Sequence, residues 1–248
     1  MKERADKVMA DLGLVTSRSQ AKSLIEKGDV TVNGNILKKA AEMIDHDAKI
    51  EISSTLFVGR GAFKLEKALQ EFKVDPKGLI CLDVGASTGG FTEVLLLGGA
   101  ARVYAIDVGH SQLAPKLALD PRVINMENTN IRELSNLPEL ADLAVMDLSF
   151  ISITKVLAQV SALLKADGEL IVLIKPQFEI GRELLPKDGV VKDPASRQKV
   201  LDDVNQYARN NGWKVLKTIQ SPIEGKNGNV EYLSYLVKYQ NHNERSGN

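Results

Sequence analysis

The sequence predicts an α/β protein in two parts, a small α+β unit over residues 1–52 and a Rossmann-like domain with a seven-stranded sheet over 59–240. Three observations predict it. Short helical periods and an Asn-Gly turn fill the first fifty residues, apolar strands alternate with helical segments from Leu79 onward, and a Gly-rich turn follows the first of those strands. Residues 53–58 read as a linker and the polar stretch 241–248 as a tail.

In the N-terminal unit, Ala5, Val8, Met9 and Leu12 recur at helical spacing, which predicts a helix over 4–13. Ser17 or Thr16 can cap a second helix whose apolar face is Ala21, Leu24 and Ile25 and which stops at Gly28. Val30-Thr31-Val32 alternates as a strand, Asn33-Gly34 supplies the positive φ angles of a hairpin turn, and 35–37 begins the return strand. A further strand is expected at 49–52.

The second part predicts strands at 79–84, 102–107, 123–125, 143–147, 170–175, 214–219 and 232–239, with helices at 62–72, 91–97, 153–164 and 194–211.

Composition sets outer limits. The 248 residues are 44% hydrophobic and 26% charged, and 32 basic residues balance 32 acidic ones, so overall charge names no partner. Cys81 is the only cysteine, which excludes disulfides within the chain and suits a reducing cytoplasm. No stretch approaches the roughly 20 apolar residues that span a bilayer, and the charged N-terminus is unlike a signal peptide. His46, His110 and His242 lack metal-site spacing, so no metal is expected, and Trp213 reads as core.

The helix, helix, hairpin pattern with ADKVMADLGLVTSRSQAKSLIEKGDVTVNG resembles the RNA-binding domain typified by the small-subunit ribosomal protein S4. Residues 1–40 hold eight Lys or Arg against five acids, a local basic excess in a neutral chain. Arg18, Ser19, Gln20 and Lys22 sit at a helix start, where free backbone N–H groups also attract anions. With Arg4, Lys7 and Lys27 they are the candidate RNA contacts that the resemblance implies.

The first long strand runs into Asp83-Val84-Gly85-Ala86-Ser87-Thr88-Gly89-Gly90-Phe91. A dinucleotide fold would place G-x-G-x-x-G here, whereas glycines at 85, 89 and 90 with an acid two residues before the first favour S-adenosylmethionine. In methyltransferases with this pattern the turn holds the methionine half of the cofactor. Asp107, at the end of the second strand, is the expected grip on the ribose hydroxyls, and Asn130, after the third, is a candidate for the adenine amine.

Open α/β sheets bind ligands beyond the carboxyl ends of their parallel strands. Asp147 and Lys175 end the fourth and fifth strands there, and an antiparallel seventh strand brings Glu231 to the same rim from its beginning. Lys64 lies on the helix ahead of the sheet. The order Lys64, Asp147, Lys175, Glu231, set in RGAFKL, DLSFIS, IKPQFE and GNVEY, resembles the K-D-K-E tetrad of the FtsJ-like ribose 2′-O-methyltransferases. With the N-terminal domain, the chain resembles the haemolysin A-type rRNA methyltransferases. Gly59 stands where related enzymes often have Ser.

The resemblance implies methylation of a ribose 2′-hydroxyl in ribosomal RNA, with a cytidine as target and rRNA or ribosomal subunits as partners. A ribose hydroxyl is a weak nucleophile until its proton is taken, whereas a methyl on a sulfonium is already activated. Lys175 is therefore the expected base, Asp147 and Lys64 its orienting and tuning partners, and Glu231 the support of the network. Pro176, Gln177, Phe178 and the loop over 181–194, with Lys187, Lys192 and Arg197 nearby, follow the rim and either close over RNA or form an ordinary surface loop. Three rivals have weaker grounds: a membrane-active haemolysin lacks a spanning segment, a noncatalytic assembly factor would not need the tetrad, and base or metabolite methylation would not need this combination.

Overall fold

Residues 2–52 and 57–239 are described by the structure, a computed structural model, apart from the side chains of Lys27 and Lys226. The chain divides into two units, Met1–Arg60 and Gly61–Asn248. The 241–248 tail and most of the expected linker lie outside the described residues.

The N-terminal unit opens with β1 (Lys2–Arg4), α1 (Ala5–Asp11) and α2 (Arg18–Lys27). Ala5, Val8 and Met9 of α1 pack with Ala21, Leu24 and Ile25 of α2, so the two apolar stripes make one core. Ser17 caps α2 by accepting from the Gln20 backbone N–H, and Gly28, left-handed at φ 82°, ends it. Then come β2 (Val30–Val32), β3 (Asn35–Ile36), β4 (Met43–Asp45) and β5 (Ile50–Ile52). The expected hairpin turn is present, with Asn33 at φ 49° and Gly34 at φ 81°.

Two details differ from the sequence reading. The first helix starts at Ala5, because Lys2–Arg4 pairs antiparallel with Met43–Asp45. Leu37 lies just past β3, although its N–H still bonds to Val30 O.

The second unit runs through α3 (Gly61–Phe72), β6 (Ile80–Val84), α4 (Gly90–Leu97), β7 (Arg102–Ile106), α5 (Pro115–Ala118), β8 (Val123–Met126) and β9 (Ala141–Met146). It continues with α6 (Leu157–Ala162), β10 (Leu164–Ile174), α7 (Pro176–Glu179), α8 (Pro194–Asn210), β11 (Trp213–Gln220) and β12 (Tyr232–Lys238). The sheet order is β11-β12-β10-β9-β6-β7-β8, with β12 antiparallel to both neighbours and the remaining pairs parallel. Consecutive residues Leu143, Ala144, Val145 and Met146 of β9 are all buried, as in a sheet covered on both faces. Trp213 is fully buried, as core.

The helix expected over 153–164 is corrected. Ser152 caps a 3₁₀ turn at Ile153–Lys155, Val156 leaves the helical region at φ −127°, and α6 ends at Ala162. Leu164 already belongs to β10, whose register shifts between Leu164 and Glu169. Apolar residues at helical spacing made one run of two short turns and a strand start.

Candidate active site

Strand direction gathers the rim. Parallel β6, β7, β9 and β10 end at Val84, Ile106, Met146 and Ile174, so Gly85, Asp107, Asp147 and Lys175 follow on one edge. Antiparallel β12 is registered with Tyr232 opposite Ile174, which delivers Glu231 to the same edge. Lys64 enters from the first turn of α3.

These four charges form two pairs. Lys64 Nζ donates to Glu231 Oε2 at 2.6 Å, and Lys175 Nζ lies 2.5 Å from Asp147 Oδ1, an ion pair made off the hydrogen-bonding direction of that oxygen. Asp147 Oδ2, 4.0 Å from Lys64 Nζ, links the pairs. Lys64, Lys175 and Glu231 are buried. Buried charges persist only when paired, so each cation here depends on its acid.

The sequence reading missed three groups in this network. Ser149 Oγ accepts from Lys175 Nζ at 3.0 Å. Phe150, at φ 66° and 89% exposed, places its ring 5.0 Å from that of Phe178, and Lys175 Nζ lies 5.9 Å from the Phe178 centroid. A cavity of about 470 Å³ opens there, lined in part by Phe150, Gln177, Phe178 and Asn229. Gly225 packs so closely that a Cβ on it would lie 2.0 Å from Glu231 Oε1. Ser149 and Phe150 stand in DLSF beside Asp147, where adjacency in sequence is their one signal, and Gly225 carries none in sequence, because its contact with Glu231 is made only in the fold.

The turn after β6 is equally constrained. Gly85 has φ 87°, and a Cβ there would fall 2.5 Å from the backbone oxygen of Asp147. Gly85 and Ala86 donate their N–H groups to Ile106 O, tying the turn to β7. Ser87, at φ 49°, and Thr88 carry the chain to Gly89, left-handed at the N-cap of α4, where Gly90 and Phe91 begin the helix. Asp107 braces this turn: Oδ2 accepts from Ser87 N at 2.8 Å and Oδ1 from Gly109 N at 2.7 Å. Lone pairs on both oxygens stay available to ribose hydroxyls.

Asp83 is fully buried, and its Oδ2 accepts from Thr92 Oγ1 at 2.6 Å while Oδ1 has no hydrogen-bond partner. Burial first, and the negative charges of Asp147 and Asp107, push its carboxyl up to about 7. An orphaned carboxylate oxygen beside a Gly turn fits the ammonium of an amino-acid moiety, so the cradle suits the cofactor expected from sequence. Asn130 caps the turn Ile131–Glu133, accepting from Arg132 N and donating to Glu133 Oε1 at 2.8 Å, so its amide is engaged locally.

In the N-terminal unit, Arg4 and Arg18 both donate to Asp6. Lys7 lies between Glu3 and Asp11, and Lys22 pairs with Glu26. Ser19 is exposed. Gln20 has both amide atoms engaged, donating to Phe57 O and accepting from Thr16. The side chain of Lys27 lies outside the described residues. In the loop after α7, Lys192 pairs with Asp188, and Asn229 pins the loop by donating to Gly189 O and accepting from Val191 N.

The FtsJ-like methyltransferase family matches residues 57–238, and the S4 domain matches 3–50. A Mycobacterium tuberculosis protein named 16S/23S rRNA (cytidine-2′-O)-methyltransferase TlyA is 42% identical over 240 residues, covering 94% of this chain and 89% of that one. Hemolysin A of Brachyspira hyodysenteriae is 40% identical over 238 residues, covering 94% of this chain and 99% of its own length. The solved structure of a hemolysin-named protein from Streptococcus thermophilus superposes with a TM-score of 0.73 at 40% identity, covering 96% of this chain and 89% of that one. The two matches together take in almost all of the sequence: this chain belongs to the FtsJ-like methyltransferase family and carries an S4 domain ahead of the methyltransferase domain.

Proposed function

We propose that the chain transfers a methyl group from S-adenosylmethionine to a cytidine ribose 2′-hydroxyl in ribosomal RNA. The observation that carries this reading is the meeting of Lys64, Asp147, Lys175 and Glu231 at one sheet rim. The name of the tuberculosis relative supports both the ribose oxygen and the cytidine. The absence, among the described residues, of a helix long and apolar enough to cross a membrane gives the hemolysin name no structural counterpart. A cytoplasmic setting agrees with an rRNA substrate.

Bound S-adenosylmethionine supplies a methyl already activated on its sulfonium. In this reading Asp83 Oδ1 would hold the cofactor ammonium and Asp107 the ribose hydroxyls, the backbone of 85–91 would line the methionine half, and Asn130 would reach the adenine amine by giving up its bond to Glu133. Lys175 Nζ must first give up one of its own protons, with Asp147 Oδ1 as the adjacent acceptor at 2.5 Å, and the neutral amine then takes the 2′-hydroxyl proton. Lys64 and Glu231 hold Asp147 and the ribose in line, and Phe150 with Phe178 offers a stacking surface for the target base. Arg4, Arg18, Ser19 and Lys22 of the S4 unit face the RNA backbone, with Lys7, Gln20 and Lys27 as lesser contributors. Residues 1–52 and 59–240 would then act as an RNA anchor and a catalytic domain joined by 53–58.

The experiment incubates the protein with ribosomal subunits and tritiated S-adenosylmethionine, and maps the product by primer-extension stops at low dNTP. Label on a cytidine ribose is expected. Label on a base, or no label on any ribosomal particle, would overturn the reading.

A further inference from the structure

The N-terminal unit contains a charge arrangement that the chemistry at the sheet rim leaves unused. The Asp6 side chain is 8% exposed, yet it accepts from Arg4 Nε at 3.0 Å and Nη2 at 3.1 Å, and from Arg18 Nη2 at 2.9 Å and Nε at 3.3 Å. One buried carboxylate therefore fixes two guanidinium groups that come from different elements, the end of β1 and the start of α2. The guanidinium side chains themselves are 46% and 53% exposed. Arg4 and Arg18 hold the Asp6 carboxyl down at about 2, so it stays ionised at any ordinary pH. Two cations on one anion leave a net positive charge, and both Nη1 groups are uncommitted to Asp6.

We propose that Arg4 and Arg18 form a two-armed fork for an RNA backbone phosphate, with Asp6 as the positioning residue that holds both arms in their bound geometry. The inference rests on the reading of RNA as substrate. Guanidinium groups match phosphate oxygens through paired N–H donors. A free arginine surrenders several rotatable bonds on binding, whereas one already held by a carboxylate has surrendered them in folding. The acid between two arginines is thus explained. Taken as bulk electrostatics alone, Asp6 would oppose RNA binding.

That difference of sign provides the test. Binding of the full chain to a fluorescein-labelled ribosomal RNA transcript is measured by anisotropy at fixed salt, without cofactor, for Asp6→Asn, Arg4→Gln/Arg18→Gln and the triple variant. Asp6→Asn should weaken binding by about 3- to 10-fold although it removes a negative charge. In the Arg4→Gln/Arg18→Gln background the same change should weaken it no further, because no arm remains to be positioned. Equal or tighter binding by Asp6→Asn overturns the fork. So does an equal loss in both backgrounds, which is what a general loss of folding in the unit would produce. Absence of RNA binding by the unaltered chain would instead bring down the substrate reading itself, a result separable from the fork.

Discussion

Lys175 and Asp83 carry the two sharpest consequences at the scale of single residues. Lys175→Ala removes the proposed base and leaves the turn at 85–91 untouched. Methyl transfer should fall by about 10²- to 10⁴-fold, while calorimetry shows cofactor affinity within a factor of a few; near-normal turnover would remove Lys175 from the role. Asp83 makes a prediction in pH. Its folded carboxyl titrates near 7, above its ordinary 3.8, so between those values the folded state binds more protons than the unfolded one. Stability contributed by this group therefore falls as pH rises from about 4 to 7. Asp83→Asn should escape that loss, so its melting temperature should gain on the unaltered protein across this window in the absence of cofactor. A pH-independent difference would mean that Asp83 is ionised throughout. The two acids of the cofactor turn were legible in the sequence from their place after strands, but the missing partner of Asp83 Oδ1 was not, because it depends on which donors the surrounding chain happens to supply.

At the scale of elements, two glycines separate backbone constraint from side-chain constraint. A Cβ at Gly85 would meet the carbonyl oxygen of Asp147 at 2.5 Å, in a turn whose φ of 87° disfavours any other residue. Neither β6 nor β9 can yield without breaking the sheet. Gly85→Ala should cost about 1–3 kcal/mol of stability and abolish cofactor binding, measured by thermal melting and calorimetry. A Cβ at Gly225 would meet only the Glu231 side chain, along its Cγ, Cδ and Oε1. Gly225→Ala should therefore keep cofactor binding but lose turnover, and some stability with it, because Glu231 must leave the buried Lys64 Nζ. Cofactor binding lost alike in both variants would remove the proposed distinction. Element existence was readable from periodicity, and boundaries were not: the expected helix over 153–164 is two turns and the start of β10, because Leu163 and Leu164 are apolar for a sheet core as readily as for a helix face.

For the molecule as a whole, charge is arranged locally: residues 1–40 hold eight Lys or Arg against five acids, although residues 1–57 balance at nine of each. Removing residues 1–57 takes those candidate phosphate contacts away, so it should reduce RNA affinity and flatten its dependence on salt, while cofactor binding by the remainder is unchanged. An unaltered salt slope in filter-binding titrations would show that the S4 domain is not the anchor.

The sequence by itself determined the α/β class, the seven-strand count, the Gly turn and the order Lys64, Asp147, Lys175, Glu231, because these follow from periodicity and from which residues end strands. It also located the hairpin at Asn33-Gly34, where turn chemistry is local. Only the tertiary structure decided the pairing of those four charges into Lys64–Glu231 and Lys175–Asp147. Spacing along the chain is silent about which of two lysines meets which of two acids, since that depends on helix α3 and strand β12 arriving at the rim from opposite ends of the domain. The same holds for Lys2–Arg4, a charged tripeptide that forms a strand only because Met43–Asp45 lies beside it. Local chemistry names the residues, and long-range packing chooses their partners.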